Sequence, residues 1–417
     1  MRTFVSAGLR IVLIGSSRFP IRQPFPGGLE AHVWHLARAL ADRGHEVSLF
    51  AAPGSDPGPG CGMLAVRHLA LSEAARFDAC MPAATFMAEH HAYLSLMLQL
   101  ARSGAEHFDL IHNHSLHHLP VAMAPMLTIP MLTTLHTPPT PWLESALDVA
   151  AGARTRLAAV SRHTAVSWQH AADEIAVVPN GIDTRRWPMG PGGPHLVWFG
   201  RITPEKGTHK AIAAARRASM PLVLAGPISD PRYFADEVAP RLHGEVRYAG
   251  HLSQDELARL VGRSAAALVT PMWDEPYGLV VAEAMACGTP VVAFARGGIP
   301  ELIAPHSGRL VPPGDAVAMA AVVPDAINLS RDRIRDHASR RCSSTAMVAS
   351  YLSLYRQMMR HARDGNDDRL LRAPSRLRAS GPGHQHLRAD APSGHIVDQP
   401  GGARLASVRR RGEAAAR

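Results

Sequence analysis

Glu275 and Glu283 lie eight residues apart in the segment from Thr270 to Ile303, TPMWDEPYGLVVAEAMACGTPVVAFARGGIPELI. The apolar run AAALVTP before them reads as a strand end, and the residues after Gly278 read as a helix closed by Gly288. Glu275 then stands on the intervening loop and Glu283 one turn into the helix, so the pair could grip two parts of one ligand. A helix start offers free N–H groups and a positive dipole end, so Gly278, Leu279 and Val280 are candidates to hold a diphosphate. Glu283 is flanked by Leu279 to Met285, mostly apolar, where a charge with no partner is costly; this favours a ligand-facing role over a solvated helix face. Arg201 and Lys206 in the loop GRITPEKG add two cations. Two fixed cations of this kind stabilise negative charge as it develops on phosphate oxygens. Lys206 and Lys210 are the only lysines in a chain that otherwise uses Arg, and a compact ammonium is not interchangeable with a guanidinium.

The elements that must position these residues follow a repeated plan. Leu9 to Gly15 (LRIVLIG) is a continuous apolar run of buried parallel-strand type, followed by a Pro/Gly loop and a helix from about Glu30 to Arg43. EVSLFAA, FDLIHNH, IPMLTTLH and RLAAVS read as further strands or strand ends. The plan restarts at His195 with HLVWFG, a helix from Thr208 to Ser219, and the strands PLVLAG, EVRYAG, AAALVTP and PVVAF. This alternation predicts an α/β protein of two Rossmann-like, doubly wound domains facing across a cleft, with ligands outside the carboxyl ends of the strands. The expected organisation is a first Rossmann-like domain over 1–185 and a second over 186–344. A helix over 345–362, which could cross back to the first domain, and a basic, disordered tail over 363–417 complete it. PNGIDTRRWPMGPGGP, dense in Gly and Pro, reads as the linker. In the first domain, Gly27 and Gly28 precede a helix and would let backbone approach phosphate or acceptor groups closely.

Composition sets the bounds. The chain has 417 residues with 46% hydrophobic content, enough for two cores. Basic residues number 44 against 35 acidic, but from His361 to Arg417 there are eleven arginines against six acidic residues, so much of the excess lies in the tail. The charge gives no basis for a nucleic-acid partner. Four cysteines, Cys61, Cys80, Cys287 and Cys342, show neither metal spacing nor a disulfide framework, which fits a reducing cytoplasm. The first apolar patch is too short for a signal peptide, and the longest apolar run, Val121 to Leu135, is broken by two prolines. Membrane contact, if any, is peripheral at the inner face of the cell membrane. No D-x-D motif occurs, so cationic side chains are expected to serve where a divalent ion would. HNHSLHH suggests zinc, but no Cys or carboxylate completes a site locally, so no metal is expected.

The Glu-x7-Glu segment, with GGLEAHVWHLARALADRGHEV, PNGID, GRITPEKG and GGIPELI, resembles glycosyltransferase family 4, the retaining enzymes of GT-B fold, over roughly residues 9 to 360. The resemblance implies a nucleotide-sugar donor as co-substrate, with no other cofactor, and makes 1–185 the acceptor-side domain and 186–344 the donor-binding domain. It implies that Glu275 contacts sugar hydroxyls and Glu283 the ribose, with Arg201 and Lys206 on the diphosphate and Gly28 beside it. TLHTPP resembles the motif whose histidine reaches the donor sugar near the reacting carbon, so His136 and Thr137 become sugar-positioning candidates, with His114 near the cleft. Members acting on phosphorylated inositols carry a lysine shortly after this histidine; PPTPWLES has none, which argues against an anionic inositol acceptor. The expected activity is retaining transfer of a hexosyl group from a UDP- or GDP-sugar to a hydroxyl of a glycan, lipid-linked or small-molecule acceptor. The rival readings are a sugar-nucleotide epimerase of GT-B-like fold and a non-catalytic nucleotide-sugar binding subunit.

Overall fold

The computed structural model describes residues 8–150, 155–172 and 174–364. The basic tail expected over 363–417 falls outside the described residues, apart from the backbone of its first two. The first half is a seven-stranded parallel sheet. Its strands are β1 (Arg10–Ile14), β2 (Glu46–Phe50), β3 (Cys61–Leu64), β4 (Leu110–Asn113), β5 (Met131–Leu135), β6 (Thr155–Ala159) and β7 (Ile175–Val177), in the spatial order β3-β2-β1-β4-β5-β6-β7. The second half is a six-stranded parallel sheet. It comprises β8 (Leu196–Phe199), β9 (Leu222–Ala225), β10 (Val246–Tyr248), β11 (Ala266–Val269), β12 (Val291–Phe294) and β13 (Gly308–Val311), ordered β10-β9-β8-β11-β12-β13. β4, β5, β8, β9, β11 and β12 are buried at every position, as expected of strands covered by helices on both faces.

Helices cover these sheets: α1 (Gly28–Ala41), α2 (Ala84–His107) and α3 (Pro141–Val149) on the first, and α4 (Thr208–Arg217), α5 (Gln254–Gly262), α6 (Leu279–Ala286), α7 (Ala316–Ile327) and α8 (Arg331–Arg341) on the second. α1 begins two residues earlier than the sequence suggests, because Gly27 takes an extended conformation and serves as N-cap without a side-chain bond. The last helix, α9 (Ser344–Asp364), returns to the first half, where Met347, Val348, Tyr351 and Tyr355 share a core with Ile11 and Leu13 of β1 and Leu36 and Leu40 of α1. The crossing is a short parallel bridge: the Ile182 N–H donates to the Cys342 carbonyl at 2.8 Å and the Ser344 N–H to the Ile182 carbonyl at 2.9 Å. Gly181 allows it, since a Cβ there would lie 2.5 Å from the Ser344 Cα. Among the described residues no helix is long and apolar enough to cross a membrane.

Candidate functional site

Both sheets reverse strand order at one place, between β1 and β4 in the first and between β8 and β11 in the second. Ligands in such sheets bind in the crevice outside the carboxyl ends at these switch points. A cleft of about 370 Å³ lies there, lined from the first half by Gly27, Gly28, His136 and Thr137 and from the second by Arg201, Lys206, Glu275, Glu283 and the start of α6. The halves meet closely: a Cβ on Gly28 would lie 2.9 Å from Leu279 Cδ1, so two candidate donor-binding residues face each other across the cleft.

The loop after β8 is stapled to the end of β11. The Thr270 hydroxyl accepts from Trp198 Nε1 at 3.0 Å and donates to the carbonyls of Lys206 and Gly207 at 3.1 and 3.0 Å. Gly207 has φ +65°, and any Cβ there would strike the Thr270 carbonyl oxygen. So held, Lys206 Nζ donates to Glu275 Oε2 at 2.5 Å, and Trp273 Nε1 donates to the same oxygen at 3.0 Å. Glu275 is fixed from behind by the glycines of GGIPELI: its carbonyl accepts from the Gly298 N–H at 2.7 Å, and Gly297, φ +62°, packs on its backbone. Arg201 is less constrained, 3.8 Å from Glu205 with 44% of its side chain exposed.

α6 starts at Leu279, with Gly278 as N-cap at φ +99° and no side chain capping it. Its first N–H groups are thereby left open to the cleft, as an anion site requires. Glu283 lines the cleft from the second turn, among the apolar side chains of Val281, Ala282, Ala284 and Met285. Among the described residues no group hydrogen-bonds to its carboxyl, and desolvation pushes its pKa up to about 8. A carboxyl in that condition is stabilised by ligand hydroxyls donating to its ionised form.

The histidines form a buried layer under the first-half wall. His136 Nε2 and His114 Nδ1 are 2.9 Å apart, while His112 bonds the Tyr355 hydroxyl at 2.6 Å and the Thr134 hydroxyl at 2.8 Å. Burial pushes the His136 imidazole down to about 3 and holds His32, His112 and His114 well below the ordinary imidazole range. All four are neutral at pH 7, so His136 can offer a hydrogen bond but not a charge. His114 does not reach the cleft. Fully buried, it stands behind His136, so its place among acceptor-side candidates is as a support of that ring. The Thr137 carbonyl is held by Trp168 Nε1 at 2.8 Å.

Several residues at the site were not singled out from sequence. Glu30, only 6% exposed in the first turn of α1, has its pKa raised by burial, opposed by its own backbone hydrogen bond and by the Arg201 charge from the other half. Asn180 of PNGID lines the cleft with its Oδ1 buried and unpartnered. Trp273 and Glu301 act through backbone and side-chain geometry; the Glu301 carboxylate accepts from the N–H groups of Arg162 and His163 at 3.0 and 2.8 Å, joining the halves. A polar residue inside a recognisable motif was the available signal for Asn180 and Glu301, but the partners of Glu301 lie more than a hundred residues away.

The Glycosyltransferase Family 4 model matches residues 26–186 and the Glycosyl transferases group 1 model residues 185–341. Over 339 residues the chain is 32% identical to a Mycobacterium tuberculosis protein named glycogen synthase, covering 71% of this chain and 81% of that one. It is 34% identical over 194 residues to the alpha-maltose-1-phosphate synthase of Mycolicibacterium smegmatis, covering 40% and 50%. Among solved structures, sucrose-phosphate synthase from Thermosynechococcus elongatus superposes with a TM-score of 0.68 at 22% identity, over 84% of this chain and 99% of that one. Anabaena HepE in complex with UDP and glucose gives 0.64 at 18%, over 83% and 99%. At these identities the structural likeness establishes the fold, GT-B. Taken with the family matches across both halves, it identifies this chain as a glycosyltransferase belonging to glycosyltransferase family 4.

Proposed function

We propose that the chain transfers a glucosyl group from a nucleoside diphosphate glucose to a hydroxyl of an α-glucan acceptor, with retention of anomeric configuration. The observation that carries this reading is the convergence of Lys206, Glu275, Glu283, Gly28 and the open start of α6 on one cleft. The glucan acceptor is supported by the relative named glycogen synthase, and the glucosyl donor by HepE, whose structure holds UDP and glucose. The diphosphate lies against Lys206, Arg201 and the first N–H groups of α6, Glu283 takes the ribose hydroxyls, and Glu275 takes hydroxyls of the sugar. Neutral His136 donates to the sugar near its reacting carbon. The bond from the anomeric carbon to the diphosphate oxygen breaks as the acceptor oxygen attacks from the same face. The acceptor proton passes to the leaving phosphate, whose growing charge the cations and the helix start stabilise. Closure of the halves excludes water that would hydrolyse the donor.

The test is incubation with UDP-, ADP- and GDP-glucose, each with and without maltooligosaccharide, followed by NMR of the first product. Chain extension with an α-linkage, dependent on acceptor, is expected. Conversion of the nucleotide sugar without acceptor would replace this reading with the epimerase.

A further inference from the structure

We propose that His32, His114 and His136 form a binding site for one late first-row divalent transition ion, zinc being the natural occupant. The three residues come from distant parts of the chain: the first turns of α1, the residue after β4 and the residue after β5. One ring nitrogen of each lies within 4.8 Å of the other two. The ring centroids form a nearly equilateral triangle with sides of 5.2 Å (His32 to His114), 5.1 Å (His32 to His136) and 5.2 Å (His114 to His136). Three imidazoles bound to one tetrahedral ion at about 2.0–2.1 Å would place their centroids about 5 Å apart. The 2.9 Å contact between His114 Nδ1 and His136 Nε2 needs to open only slightly, to about 3.3 Å, for both nitrogens to share an ion.

The second observation is independent of spacing. Both ring nitrogens of His32 are buried with no hydrogen-bond partner. A neutral imidazole carries one donor and one acceptor, and leaving both unmet in the interior is unfavourable. His112 shows the contrast, since both of its nitrogens are satisfied by hydroxyls. It is an ordinary core histidine; His32 is not. A set of three imidazoles with no carboxylate suits zinc, cobalt, nickel or copper and not magnesium or calcium. Coordination through Nε2 of His136 would fix its proton on Nδ1, so the ion would set the tautomer of the one residue of the three that lines the cleft. HNHSLHH alone offers only His114 to this site; the other two ligands come from α1 and β5.

The full-length protein, without a histidine tag and freed of metal by a chelator, is titrated with Co²⁺ and separately with Zn²⁺. One equivalent per chain is expected, with the visible d–d absorption of a four-coordinate Co²⁺ bound by nitrogen and oxygen. His32→Gln should weaken Co²⁺ binding by about a hundredfold or more, while His117→Gln leaves it unchanged. Because the wild-type spectrum is itself diagnostic, the test survives a variant that fails to fold. No stoichiometric binding, equal binding by His32→Gln, or a thiolate-to-cobalt charge-transfer band marking cysteine ligation would overturn the site. None of these results depends on the identity of the sugar donor or acceptor.

Discussion

Lys206 and Glu275 are paired at 2.5 Å, so without donor each neutralises the other. In the proposed reaction Lys206 turns to the diphosphate and Glu275 to sugar hydroxyls, which makes the pair a preset holder for the donor's two polar ends. Lys206→Ala and Glu275→Ala are each expected to lower kcat/KM by about 10²–10³ while circular dichroism stays unchanged. Near-normal turnover in both would remove them from the chemistry. Glu283 carries a pH signature. Its folded pKa, raised from 4.5 to about 8 by burial, means the native state holds a proton that the unfolded chain has lost between those values. Stability therefore falls as pH rises through that window. Glu283→Gln should thus gain on the wild type between pH 5 and pH 8 and level off above, in urea midpoints taken across the range; a constant difference would show that Glu283 is already ionised at pH 5. If ribose hydroxyls ionise it on binding, calorimetry at pH 7 in buffers of different ionisation enthalpy will record proton release with the donor. Glu283 and Lys206 stood out in the sequence because their residue types conflict with their surroundings, and Glu275 because it stands eight residues before Glu283 in the segment that carries the family resemblance. Glu30 and Asn180 were not, since their burial depends on contacts with distant parts of the chain.

At the level of elements, the site depends on two helix starts that carry no polar cap. Gly27 before α1 and Gly278 before α6 leave N–H groups free for a ligand, where Ser or Asp would occupy them. Gly278 is also held at φ +99°, and a Cβ would meet Ile299 Cγ1 at 3.0 Å. Gly278→Ala is therefore expected to cost about 1–2 kcal/mol in thermal unfolding and to weaken nucleotide binding, by displacing the N–H groups from the cleft. Unchanged nucleotide affinity would show that α6 does not hold the diphosphate. The alternation of strand and helix was legible because buried parallel strands are continuous apolar runs. Helix ends were less so: α1 starts at Gly28 because its cap is backbone alone, which leaves no residue signature.

For the molecule as a whole, α9 ties the end of the second half to the core of the first. Tyr355 is fully buried there, and its hydroxyl holds His112 beneath the histidine layer. Tyr355→Ala should lower stability by about 3–5 kcal/mol, measured by urea unfolding; a loss below 1 kcal/mol would mean that α9 is not part of the first core. Amino-acid order alone determined the two doubly wound halves, the glutamates and cations that line the cleft, and the family resemblance, because strand periodicity, helix starts and clustered motifs are local properties. Only tertiary structure decided that His32 lies beside His114 and His136, that Glu301 accepts from the N–H groups of Arg162 and His163 in the other half, and that Gly28 faces Leu279. Each of these depends on the distance between groups remote in sequence, and that distance is set by how two sheets and a returning helix pack.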